Sequence, residues 1–437
     1  MEDISREKFT LVQQDEVLYD ERIKTKSIGY YKDAFLRFKK NKASVTAAII
    51  LIFIIIMAII GPFFKSYSLP DDNAKWAARL KDMPPRIEGL EWLGFNGEKQ
   101  LTGYPENFSN IPDGIVLRIT GINSIGQITV VVDYYAYRNY VYSAEIDTVT
   151  QEYTTASYTN LTISEYNAVK AAEVASGETI ILEDAPLVAG SYRVRLDYFR
   201  FLYHVYDVEE PEFWFGSDPQ GRDLFTELWN GARISLLIAF SVALINILIG
   251  IVWGSISGYF GGTVDLVMER VSDILAGLPF MAILTLLLLR YGNTPGVVIV
   301  AFTLTGWLGI ASLTRAQFYR YKNREYVLAA RTLGASDSRI IIRHIFPNAV
   351  GTLITSLVLY IPAVIFSEST YSFLGIINYA DVISVGRLLS TGQSVMKESF
   401  YQVLFPSIFI SLLMLSFNLF GNGLRDAFNP SLRGVEE

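Results

Sequence analysis

The sequence predicts a membrane all-α protein of six transmembrane helices, with an α+β, β-rich domain inserted between the first helix and the second. Three observations lead there. Hydrophobic residues make up 51% of the 437 residues, and six runs come close to the roughly 20 apolar residues that cross a bilayer. These runs are 44–64, 234–256, 271–289, 296–313, 349–366 and 404–420. In the long gap after the first run, the pattern changes to short stretches rich in β-branched and aromatic residues. Finally, positive charge clusters at alternate ends of the runs, which orients them.

From the front, residues 1–28 alternate acids and bases with few paired apolar positions and read as a cytoplasmic tail. Residues 29–64 combine a short helix with the first span. In the helix, Tyr31, Ala34, Phe35 and Phe38 recur at helical spacing opposite basic residues. This fits a helix lying in the membrane interface, or an ordinary positive flank of the span. A cleavable signal peptide is not expected, because the first apolar run begins after more than 40 residues of mixed charge. Residues 65–212 form the insert. Its first part, 65–95, reads as an extended connector with Pro70, Pro84 and Pro85. Strands are expected over 115–120, 127–133, 158–163 and 192–206. One helix is expected over 165–175, capped by Ser164 and stopped at Gly177. Twelve tyrosines between Tyr134 and Tyr206 serve either a recognition surface or simply the strands. Asn107 and Asn160 begin short matches to the N-glycosylation pattern, which so brief a match does not establish. Residues 213–437 carry the remaining five spans.

Lys32, Arg37, Lys39, Lys40 and Lys42 precede the first span, and seven arginines and lysines lie between the fourth and fifth. Both segments are expected to be cytoplasmic. By contrast, residues 65–215 hold 12 Lys plus Arg against 22 Asp plus Glu, a net of −10 where the whole chain has −7. That segment is expected outside, about 65–230 in all, and both termini inside.

The most informative stretch is the basic loop between the fourth and fifth spans, about 318–348. Glu325, Leu328, Ala329, Ala330 and Arg331 form one short helix; Ser336, Asp337 and Arg339 open a second, and Pro347 follows. Gly334 suits a left-handed helix end, and Ser336 suits an N-cap. Ala329, Ala330 and Gly334 have almost no side chain, so another backbone can approach closely, and Ala335 is counted with the same loop. The order resembles the cytoplasmic coupling loop of ABC importer permeases, which runs Glu-Ala-Ala, three residues, Gly, and later Leu-Pro.

Further matches follow in order: Gly216-Ser-Asp-Pro-Gln-Gly-Arg-Asp223, Gly258-Tyr-Phe-Gly-Gly262 with Asp265, Arg270, Asp273 and Pro279, Glu368 to Gly375, and Phe417 to Pro430. Together they cover roughly 30–70 and 213–434 and resemble the second permease of the oligopeptide, dipeptide and nickel branch. This resemblance implies the type I importer permease fold and a bacterial plasma-membrane subunit. The expected partners are a second homologous permease, two ATP-binding subunits carrying ATP and Mg, an extracellular solute-binding protein or lipoprotein, a peptide substrate and membrane lipid, with no nucleic acid. Two residues depart from the family pattern. Leu328 stands where the pattern has Glu, with Glu325 one turn earlier, and Val385 occupies the middle of a Ser-Trp-Gly motif beginning at Ser384.

Candidate path or gate residues are polar groups that lipid would penalise. Asn246 lines the cavity or bonds between helices, and Asn418 faces protein or water. Glu368, near the outer end of the fifth span, touches a substrate's positive end or has a structural role beside the gate. Ser384 and Val385 belong to the outer loop after it. Gly250, Gly254, Gly258 and Gly261 are read as helix-packing positions. Asp218, Arg222 and Asp223 are expected to pair and fix the entry of the second span.

No catalytic site is expected. The chain lacks a phosphate-cradling Gly-x-x-x-x-Gly-Lys-Ser/Thr loop, so ATP must be hydrolysed by a partner. It has no cysteine, and its two histidines, His204 in an expected strand and His344 in the basic loop, are too few for His-based zinc chemistry. The competing class is a membrane-anchored receptor or scaffold without transport. Within the importer class, nickel or another small solute remains open as the cargo.

Overall fold

A computed structural model describes residues 30–64, 80–108, 111, 113–140, 145–146, 153–154, 159–188, 190–207, 212–380 and 382–428. The expected tail 1–28, the 65–79 part of the connector and the C-terminal residues 429–437 lie outside the described residues.

Helix α1, Tyr30–Lys40, leads into α2, Lys42–Ile60, whose first turn is capped by Asn41 accepting from the Ser44 amide at 3.2 Å. Within α1, Ala34 is buried and Phe38 meets Phe420 edge-on, whereas Phe35 is exposed. The expected apolar face is therefore divided between packing and surroundings. Among the described residues, Lys42–Phe63, Leu224–Phe260, Pro295–Tyr321 and Tyr401–Phe428 are each long and apolar enough to cross a membrane. Two more segments qualify only as bent pairs: Gly262–Ala276 with Phe280–Tyr291, bent by 70°, and Asp337–Ile354 with Ser356–Phe373, bent by 44°. The continuous third span expected over 271–289 is thus broken. Pro279 has no amide hydrogen to donate and disfavours helical geometry at Leu278, so the chain turns at 277–279.

In chain order these helices are α6 Leu224–Phe260, α7 Gly262–Ala276, α8 Phe280–Tyr291, α9 Pro295–Gly306, α10 Leu308–Tyr321, α11 Glu325–Thr332, α12 Phe346–Phe373, α13 Val385–Ser394 and α14 Tyr401–Phe428. Helices α6 and α10 lie closest together. Gly250, Gly254 and Gly258 present bare backbone to Ile310, Ala311 and Arg315, leaving no room for a Cβ. Gly261 has a different task from the packing expected of it, turning the chain between α6 and α7 at φ 65°. At the front of α6, Asp223 accepts from the Thr226 amide at 3.1 Å, while Arg222 forks onto Asp218 at 2.6 and 2.8 Å. Both fix how α6 begins, as expected.

The insert contains two antiparallel three-stranded sheets. One has order β1-β3-β2, with β1 Glu98–Gly103, β2 Val116–Ile122 and β3 Ile128–Asp133; Leu101 pairs with Val130. A two-residue pair follows, β4 Glu145–Ile146 with β5 Tyr153–Thr154. The second sheet has order β6-β8-β7, with β6 Thr159–Thr162, β7 Ile181–Val188 and β8 Ser191–Leu196. Helices α3 Tyr134–Tyr140, α4 Ile163–Ser176 and α5 Tyr198–Tyr206 complete it. Val130, Val132, Leu161, Val169, Val194, Leu196 and Phe201 share one buried core across both sheets. Tyr134, Tyr135 and Tyr198 are buried in that core, so these three tyrosines pack.

Two local expectations fail here. The helix cap is Thr162, which accepts from the Glu165 amide while Glu165 accepts from the Thr162 amide, a reciprocal box that starts α4 before Ser164. The strand expected over 192–206 ends at Leu196. Asp197 then accepts from the Arg200 amide at 3.1 Å and opens α5, placing His204 on a helix. Aromatic residues suit strands, but this sequence also buries Tyr198, Phe201 and Leu202 at helical spacing, and the cap decides between the two. Replacing Asp197 by Ala is expected to cost about 1–2 kcal/mol. Hydrogen exchange at the amides of 198–206 should accelerate, with little change in α6.

Candidate functional site

The loop after α10 carries its own small core. Val327, Ile340 and Ile345 pack against Tyr259 at the end of α6 and Phe318 of α10. Helix α11 ends in a Schellman arrangement: the Ala335 amide donates to Ala330 O at 3.0 Å and the Gly334 amide to Arg331 O at 3.0 Å. Gly334 adopts φ 81°, the left-handed conformation that glycine takes without penalty. Ser336 is the N-cap of the next helical turn, Asp337–Arg339, in extended conformation but without a side-chain cap bond. A π-helical stretch, Ile340–Ile345, joins this turn to α12, with Pro347 exposed in the first turn.

Burial of one face leaves the other bare. Glu325, Leu328, Ala329, Arg331, Gly334, Ser336, Asp337 and Arg339 are exposed, and Leu333 is 88% exposed. Ala335 is half-buried against the small core, and Ala330 is buried. The bare face thus includes Ala329 and Gly334 but not Ala330. Tyr259 fastens the loop to α6 by donating to Asp337 at 2.5 Å and accepting from Arg331 at 3.4 Å. Beneath it, Arg315 pairs with both carboxylate oxygens of Asp265, at 2.5 and 2.7 Å, and the Tyr319 hydroxyl donates to Asp265 at 2.6 Å. Ser257 completes this junction of α6, α7 and α10. Sequence reading singled out Asp265 without its partner. An arginine at the end of an apolar run was the available signal.

Elsewhere the structure unites some candidates and separates others. Glu368 is buried, accepting from Ser235 at 3.2 Å and from Ser372 at 3.3 Å. The Val385 amide donates to the same Ser235 hydroxyl at 3.2 Å, and Ser384 caps α13 by accepting from the Arg387 amide at 3.1 Å. Glu368, Ser384 and Val385 therefore form one polar cluster, held by Ser235 of α6, which sequence reading missed. Asn246 stands apart. It is buried, donates to Tyr360 at 2.8 Å and bonds between α6 and α12, leaving its Oδ1 without a partner. Asn418 lies exposed on α14. Among the described residues, no group of three metal-ligating side chains occurs.

The described residues thus combine apolar helices long enough to cross a membrane, a separately cored loop and a polar cluster at Glu368. Residues 250–434 match the family described as binding-protein-dependent transport system inner membrane component. Residues 29–85 match the N-terminal TM domain of oligopeptide transport permease C. The chain is 44% identical over 223 residues to the dipeptide transport system permease protein DppC of Bacillus subtilis (strain 168), covering 51% of this chain and 70% of that protein. It is 42% identical over 222 residues to the oligopeptide transport system permease protein OppC of the same strain, covering 51% and 73%. For OppC of Escherichia coli (strain K12), identity is 40% over 224 residues, covering 51% and 74%. A solved inward-facing MetNI methionine ABC transporter has TM-score 0.39 and 15% identity, covering 46% of this chain and 96% of that one, too distant to define this fold. The chain belongs to the family of binding-protein-dependent transport inner membrane components. It is a multi-pass permease subunit of an ABC importer, similar to the oligopeptide and dipeptide permeases.

Replacing Gly334 by Ala is expected to cost about 1–2 kcal/mol, because a Cβ is disfavoured at its positive φ. Since no atom lies near that Cβ position, the effect should stay local. Faster hydrogen exchange at 325–335, with unchanged exchange in α6, is the measurement.

Proposed function

We propose that this chain is one of two permeases in an ATP-driven importer of oligopeptides or dipeptides. The bare face of the 325–347 loop is the observation that carries this reading. Leu328, Ala329, Leu333 and Gly334 are exposed on a segment whose other side is packed, as suits a surface that enters a partner's groove. The partners are two ATP-binding subunits, which supply the ATP and Mg chemistry this chain has no loop to perform. A second permease completes the path, and an extracellular binding protein delivers the solute. Orientation follows from charge: the basic loop and both termini are cytoplasmic, and the acidic insert is extracellular. Counting each bent pair as one span gives the six spans that this orientation requires. The insert, 65–212, is a separate domain, and 213–437 is the permease core.

Alternating access would proceed as follows. Closure of the ATP-binding subunits pushes the loop, and Tyr259 passes the push to α6. The Asp265–Arg315 junction makes α6, α7 and α10 move together. At the other end, the Glu368, Ser384 and Val385 cluster sits between α6, α12 and α13 and forms the outer gate, while Asn246 holds α6 against α12. Val385 makes a smaller plug than tryptophan would. Leu328 meets the partner through apolar contact instead of a carboxylate.

The test is a mild-detergent pull-down of the tagged chain. The native chain should recover a second permease and the ATP-binding subunits, and proteoliposomes carrying that complex and its binding protein should accumulate a labelled tripeptide with ATP. Leu333→Asp should reduce ATPase-subunit recovery at least severalfold while the second permease is retained. Recovery of the chain without ATP-binding subunits would overturn the reading.

A further inference from the structure

A polar joint ties the insert to the permease core where Asp82, in the matched stretch 29–85, meets Ser217 of the Gly216–Asp223 motif and Gln402 of the matched stretch 250–434. The chain returns to the core at Ser217, whose amide donates to Met83 O at 2.9 Å and whose hydroxyl accepts from the Met83 amide at 2.8 Å. Beside it, Asp82 holds φ 54°, a conformation that non-glycine residues seldom adopt, although it is only 8% exposed. Gln402, at the start of α14 and 2% exposed, donates to the Asp82 carboxylate at 2.8 Å and to Ser217 O at 3.0 Å. Tyr401 also donates to Ser217 O, at 3.2 Å, and Phe215 stacks on Phe405 at 4.1 Å. From the sheet side, Lys99 of β1 reaches Asp82 O at 3.1 Å and Ser399 Oγ at 3.2 Å.

The joint continues into the gate. Gly392 of α13 lies directly against the Gln402 carbonyl, with no space for a Cβ. At its other end, Gly386 is equally tight against Ser369 and Ser372, next to Glu368. One packed line therefore runs from β1 through Asp82, Gln402 and α13 to the Glu368 cluster. We infer that Asp82 and Gln402 are positioning residues that make the insert a rigid extension of the gate helix α13, so that the two move as one body. This rests on the transport reading for its consequence, though not for its geometry.

Asp82 and Gln402 carry the joint together with Lys99, which brings β1 onto Asp82 O and Ser399 Oγ. Burial pulls the Lys99 ammonium down to about 8, against the pull of Asp82 and Glu398 and with that of Arg138 and Lys81. Its positive charge is therefore less favoured than that of a solvated lysine. The Gln402 amide, by contrast, is a neutral donor on a buried carboxylate. Removing it deletes the buried donor of that carboxylate and leaves the exposed Lys81, at 3.9 Å, as its ion-pair partner.

The absence of cysteine makes the test direct. Spin labels at Gln100→Cys on β1 and Gln393→Cys on α13, both exposed in the structure, report the distance between insert and gate helix in the full chain in nanodiscs. The native background should give one narrow distance. Gln402→Leu should broaden it at least twofold, and Asp82→Gly, which keeps the backbone conformation free of strain while deleting the carboxylate, should do the same if the first variant does not fold. A narrow, unchanged distance in either variant would overturn the inference. In the assembled complex, ATP-driven tripeptide uptake should fall severalfold with Gln402→Leu. Absence of uptake by the native complex would instead count against the transport reading and leave the distance result standing.

Discussion

Close contact between α6 and α10 is the constraint on which the rest of the permease depends. Three glycines spaced one turn apart bring α6 within backbone contact of Ile310, Ala311 and Arg315. Helices in lipid gain no hydrophobic driving force from meeting, so close packing and polar bonds must hold them. The Arg315–Asp265 pair closes the Gly258 end of this contact and brings α7 into it. Buried or half-buried ion pairs cost desolvation, and this one is offset by two further hydroxyl donors, Tyr319 and Ser257. What results is a stiff three-helix corner.

The loop inherits its position from that corner. It leaves α10, packs on Tyr259 of α6 and returns through a π-helical stretch into α12, so both of its anchors belong to the stiff unit. Loops carry function when a rigid scaffold positions them. Here the scaffold is the glycine contact, and one face of the loop is left unpacked. At the far end, the same helix α6 contributes Ser235 to the Glu368 cluster. One helix thus touches the loop, the middle bond at Asn246 and the Glu368 cluster.

How much could be read in advance differs sharply between regions. The long apolar runs and the Gly334 turn are local signals; four of the runs appear as continuous helices and Gly334 turns where its residue type places it. The insert was less legible. Residues 192–206 satisfy strand composition throughout, yet Asp197 divides them because its carboxylate can serve the amides of a helix that buries Phe201 and Leu202. Pro279 was visible inside an apolar run, but a bend of 70° depends on where the neighbouring helices allow α8 to lie.

The sequence by itself determined that this is a multi-pass membrane subunit with a loop built of small residues, and it pointed to the importer permeases through ordered motifs. These are short-range properties: hydropathy over a run, the conformational freedom of a glycine, a cap beside a helix. Only the tertiary structure decided that Ala330 faces inward while Ala329 and Gly334 face out, that Glu368 shares Ser235 with Val385, and that Asp82 meets Gln402 across 320 positions. Those contacts join residues far apart in the chain. Their geometry follows from how whole helices pack, which no local pattern encodes.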